Sequence, residues 1–112
     1  MRLHFLHSAG WTSPAGTQIG YYAIHYSDGQ QRIVPIVYGY DVQDWWAPLR
    51  EPITTGLTLA WEGHNAAVGA GLKIRLYLTT WQNPRPEAPI DRLDFVSSMA
   101  NAVPFLVALS SE

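Results

Sequence analysis

The sequence predicts an all-β fold: a compact jelly roll or β-sandwich of roughly seven or eight short strands. Turn residues recur about every eight to twelve positions. Apolar runs between them alternate or read as buried strands, most cleanly at Leu72–Thr79. No repeat, linker or composition break divides the chain, so residues 1–112 form one domain.

Leu3 to Ser8 is the first expected strand, and Gly10–Gly16 the loop after it. Ile19 to Tyr26 and Gln31 to Tyr38 follow as a hairpin, since Asp28-Gly29 between two apolar runs is a strong turn signal. Taken as a two-residue turn, it sets His25 opposite Arg32, Ala23 opposite Val34 and Tyr21 opposite Ile36. Tyr22, Ile24, Ile33 and Val37 then share the other face. Both faces are largely apolar, which predicts cover on both sides, by the opposing sheet and by a second subunit. Gly39 to Leu49 reads as a long aromatic loop, and Leu57 to Glu62 as the fourth strand. Gly63 to Gly71 is small and flexible in composition. In Leu72–Thr79 the residues Leu72, Ile74, Leu76 and Leu78 point one way and Lys73, Arg75, Tyr77 and Thr79 the other. Gln82 to Pro89 is a proline-rich turn. Asp91 to Ser97 and Pro104 to Leu109 close the fold, with Met99 to Val103 a short helical or irregular crossover.

Composition narrows the function. The chain has 112 residues, 47% hydrophobic and only 14% charged, with a net charge of −2. So few charges predict a surface partly hidden, in a homodimer or on a ligand. Without a basic cluster, nucleic acid is not an expected partner. No apolar run reaches the ~20 residues a membrane span requires. The N-terminus lacks the residue order of a signal peptide, so secretion would require a leader outside this sequence. Cysteine is absent, which removes disulfides without fixing a compartment.

Three histidines, His7, His25 and His64, lie in or beside apolar, strand-like runs close to turns. If they converge, three imidazoles without thiolates suit copper, zinc, nickel or non-haem iron and leave positions open for chemistry. The alternative is that each is a single core or surface histidine bonded to its neighbours. His4 alternates away from Leu3 and Phe5 and is expected to face outward. The loop Tyr38-Gly39-Tyr40-Asp41-Val42-Gln43-Asp44-Trp45-Trp46 gathers four large rings and two carboxylates. Trp11 and Trp81 lie in other loops. Indole and phenol rings stack on the C–H faces of sugars, and carboxylates bind their hydroxyls. Trp11, Tyr40, Asp44, Trp45 and Trp46 are therefore candidate substrate-binding residues. The competing reading is that these rings cap a small core. No carboxylate pair is set for glycoside hydrolysis, and no nucleophile elbow, phosphate loop or zinc-protease helix is present.

Several segments resemble a bacterial β-domain family of largely unknown function: Phe5-Leu6-His7, Ile24-His25-Tyr26-Ser27-Asp28-Gly29, Tyr38-Gly39-Tyr40-Asp41, Asp44-Trp45-Trp46 and Thr80-Trp81-Gln82-Asn83-Pro84. Asp94-Phe95-Val96-Ser97 and Pro104-Phe105-Leu106-Val107-Ala108 extend the likeness almost to the C-terminus. Size and histidine set also resemble the small, cupin-like jelly-roll, copper-dependent enzymes that cleave cellulose oxidatively. That resemblance implies a homodimeric oxidoreductase with one copper per subunit and an aldonic acid product. His7, His25 and His64 are then the expected ligands. The usual cupin histidine–glutamate motif is missing. Met1 stands first, so an N-terminal histidine brace is not expected, and copper would rest on internal side chains. A non-catalytic carbohydrate-binding sandwich is the alternative expectation.

Overall fold

The computed structural model describes residues 1–48, 57–63 and 72–112, and all strand statements refer to these. Eight strands occur: β1 (Arg2–Gly10), β2 (Gln18–Tyr26), β3 (Gln31–Val37), β4 (Trp46–Pro48), β5 (Leu59–Gly63), β6 (Leu72–Gln82), β7 (Ile90–Ser97) and β8 (Val103–Ser111). They form two antiparallel sheets, and the fold is an all-β sandwich. In the larger sheet β1 lies between β6 and β8, and β4 and β5 also pair with β6. The smaller sheet has the order β3-β2-β7.

Alternation decides which residues meet between the sheets. Leu3, Phe5, His7 and Ala9 of β1 face inward, as do Tyr22, Ile24 and Tyr26 of β2 and Val34 and Ile36 of β3. Phe5 stacks on Tyr22 with ring centroids 4.1 Å apart. Full burial of each large aliphatic side chain or Phe among them stabilises the fold by roughly 1.5–3 kcal/mol. On β6 it is Arg75 and Tyr77 that are fully buried, while Leu76 and Leu78, on the opposite face, are half-buried.

The hairpin register differs from the two-residue expectation. Tyr26 and Gln30 close a three-residue loop: the Tyr26 N–H donates to the Gln30 carbonyl at 2.9 Å. Gly29 takes the left-handed conformation (φ 89°) that such a loop requires. Hence Ala23 faces Ile33, Tyr22 faces Val34 and His25 faces Gln31. One residue of slip exchanges the faces of β3 relative to β2.

Two connections differ as well. The aromatic segment carries a short strand, β4. Residues 43–48 wedge between β1 and β6 where those strands part after the His7–Tyr77 pair. There the Trp45 N–H donates to the Ala9 carbonyl at 2.7 Å, and the Trp45 carbonyl accepts from the Arg75 N–H at 2.8 Å. Trp81, expected in a loop, lies within β6 and packs against the core. Beyond Gly63, the expected flexible connection lies outside the described residues. Met99–Ala102 is irregular, one of the two forms expected of that crossover.

The Tyr26 hydroxyl donates to Asn83 Oδ1 at 2.6 Å. The Arg85 guanidinium lies 4.6 Å over the Tyr26 ring and pairs with Asp28. The segment from Thr80 to Pro84, together with Arg85, thus holds the hairpin tip against the β6–β7 turn.

Candidate functional site

The wedge creates the pocket. Because both backbone groups of Trp45 are tied to flanking strands, its ring is held at the corner of the larger sheet. Trp45 stacks on Trp46 at 5.5 Å and meets Phe105 edge-on at 5.5 Å. Gly10, Trp11, Asp44, Trp45 and Trp46 line a cavity of about 280 Å³. That is near the lower end of the ~300–1,000 Å³ typical of small-molecule sites, room for one sugar-sized ring. Four of the five substrate-binding residues expected from sequence meet here. The exception is Tyr40, which sits exposed in the turn after β3 and does not line the cavity.

Trp11 stands at the mouth, 70% exposed, with φ 61°. A left-handed backbone costs a bulky residue about 1–2 kcal/mol. Burial offers little return for that cost, since most of the ring stays in solvent. Asp44 supplies the polar group. Its Oδ1 accepts the Trp46 N–H at 3.2 Å, and its own N–H donates to the Tyr38 hydroxyl at 3.1 Å. Burial among the rings pushes the Asp44 carboxyl up, only partly offset by the Trp46 hydrogen bond.

A further ring went unnoticed in sequence. Trp46 pairs with Ile74, and Trp61 with Leu76, on opposite sides of β6. Ile74 and Leu76 are two residues apart, so both indoles project from the outer face of the larger sheet. They are 44% and 49% exposed. Two strand spacings, about 10 Å, separate their backbones. The alternation of Leu59 and Trp61 in the fourth strand was the available signal.

His7 and His25 do not share a centre. His7 lies in the core, with Nδ1 2.6 Å from the Tyr22 hydroxyl and Nε2 2.8 Å from Thr79 Oγ1. The Thr79 hydroxyl donates to Asp41 Oδ1 at 3.4 Å, and Asp41 Oδ2 accepts the Val37 N–H at 2.8 Å. These partners assign one tautomer: Nε2–H donates to Thr79, and Nδ1 accepts from Tyr22. Burial lowers the His7 pKa to about 4. Burial also raises the Tyr22 hydroxyl, with the nearby Asp41 charge adding to it. Asp41, read as a sugar partner in the aromatic loop, is instead turned toward this chain, and burial raises its carboxyl.

His25 is on the other side of β2. It is three residues from inward-facing Tyr22, so it projects from the outer face, where its Nε2 lies 2.8 Å from Asp94 Oδ2. His7 and His25 therefore point to opposite sides of the smaller sheet and cannot share one ion. The sequence expectation failed here because the slipped register also moved His25 away from Val34 and Ile36. His64 lies outside the described residues. Of the three residues expected to hold copper, the two described, His7 and His25, do not fit a common site. His4, as expected, turns outward to Thr80 and Glu112. The chain matches no protein-family model, no curated protein and no solved structure.

Proposed function

We propose that this chain is a carbohydrate-binding β-sandwich, and that a β-glucan such as cellulose docks on the tryptophan corner. The observation that carries the reading is the cavity where Trp11, Trp45 and Trp46 surround the Asp44 carboxylate. Indole faces offer stacking area to one pyranose, and Asp44 offers a hydroxyl partner. Trp61, further along the same sheet face, extends the surface in the direction of a linear chain.

Calorimetric titration with cello-oligosaccharides tests this. Trp46→Ala is expected to weaken binding about tenfold, taking ~1–3 kcal/mol per stacked ring by analogy with stacked bases, and to leave the melting temperature unchanged. Trp11→Gly is expected to weaken binding while leaving the melting temperature equal or higher, because it releases the left-handed strain. Normal binding in both variants would sink the reading. A stoichiometric Cu(II) site abolished by His7→Ala and by His25→Ala alike would restore the oxidoreductase.

A homodimer is proposed with it. Tyr21, Ala23, Ile33 and Pro35 share the outer face of the hairpin, and Ile33 is 47% exposed. Light scattering should give twice the chain mass at micromolar concentration, and a monomer there would end the proposal.

A further inference from the structure

We propose that the tryptophan cavity selects a sugar unit carrying a free ammonium group, so that the preferred ligand is a β-linked amino-sugar oligomer rather than a neutral glucan. This rests on the carbohydrate reading and names the class of sugar.

The charged groups of the cavity are out of balance. Among the described residues Asp44 is the only charged side chain lining the cavity, beside three indoles and a glycine. A neutral pyranose presents hydroxyls around its whole rim, and here one carboxylate and the indole N–H groups answer them. An ammonium needs fewer partners and stronger ones. The Asp44 carboxylate is half-buried, and a single N–H, that of Trp46, reaches its Oδ1. Among the described residues no lysine, arginine or histidine forms an ion pair with it.

The other charged clusters are balanced differently. Asp28 holds Arg85, Glu62 holds Lys73 and Arg75, and Asp94 holds His25 and Arg92. A partly desolvated carboxylate with one hydrogen bond is costly, and an arriving cation reduces that cost more than a hydroxyl does. The indoles act in the same direction, since their ring faces attract ammonium groups. The sugar ring supplies the C–H face for stacking, and its amine supplies the charge. With a chain net charge of −2, the long-range field does not oppose a cationic ligand.

The experiment compares glucosamine, N-acetylglucosamine and cello-oligosaccharides of equal length by calorimetric titration at pH 6, against the wild-type chain, Asp44→Asn and Trp46→Ala. Asparagine keeps an oxygen for the Trp46 N–H, so Asp44→Asn removes charge and little else. The glucosamine oligomer is expected to bind about tenfold tighter than the other two. The preference should shrink with added salt and vanish in Asp44→Asn, and Trp46→Ala should weaken all three ligands. Equal or tighter binding of the neutral oligomers, or a preference that survives Asp44→Asn, overturns the inference. In those cases Trp46-dependent binding still upholds the carbohydrate reading. Binding of none of the three removes both.

Discussion

Acidification from pH 6.5 to about 4 is expected to remove roughly 3 kcal/mol of stability, because buried His7 refuses a proton that the unfolded chain takes up. Its pKa falls from the ordinary 6.5 to about 4 through burial. Between those values the unfolded chain binds the proton and the folded chain does not, so stability falls as pH falls. The contribution is complete above pH 6.5 and gone below about 4. Each pKa unit corresponds to about 1.4 kcal/mol, and the group is fully buried, so solvent screens little of it. Domains of this size are stable by only ~5–15 kcal/mol, which makes the loss a large share. Asp41 works in the opposite sense. Its raised carboxyl is a penalty at neutral pH that protonation relieves, so it softens the acid end of the curve. Urea unfolding at pH 7 and pH 4.5 checks the prediction through the midpoint at constant slope. An unchanged midpoint, or a His7 resonance titrating near pH 6.5 in the folded protein, would refute it.

Gly20→Ala should be comparably severe. An added Cβ would lie 2.6 Å from the Val96 carbonyl oxygen and 3.1 Å from Pro104 Cγ. One neighbour is backbone in the β2–β7 ladder. The other is a proline ring on β8, whose strand is fixed to β1. Neither can turn away as a flexible side chain would. Overpacking of this kind costs ~1–3 kcal/mol or more, and the upper end corresponds to a fall of more than about 10 °C in melting temperature. Gly10→Ala is the control, because nothing lies within 4 Å of a Cβ there. If the two variants melt together, the sheets do not approach at Gly20 as described.

Strand content was legible in the sequence because alternation and turn residues act locally. Most strands start and stop within two residues of where those signals put them. The hairpin shows the limit. Asp28-Gly29 marks the turn correctly, but the same dipeptide serves a two-residue or a three-residue loop. Choosing between them depends on which face of β2 the core accepts, and Tyr22 and Ile24 settle that only once β1 is opposite. His25 changed sides with that choice. The tryptophan corner was legible as composition, since Trp11, Asp44, Trp45 and Trp46 all stood out. Its assembly was not, because nothing near residue 45 announces that it bonds Ala9 on one side and Arg75 on the other. The chain from Tyr22 through His7 and Thr79 to Asp41 crosses between two sheets and left no local trace.

The central place of β1 has a consequence for how the protein is made. Both strands that flank β1, β6 and β8, come from far downstream, and the His7–Thr79 contact alone spans 72 positions. At a synthesis rate of ~5–20 residues per second, β1 waits about 4–14 s before β6 is even translated. Throughout that interval Leu3, Phe5 and Leu6 sit on an unpaired strand, open to other nascent chains. Yield in a cell-free or recombinant system should therefore be governed by what shields the first ten residues during translation as much as by the stability of the finished sandwich.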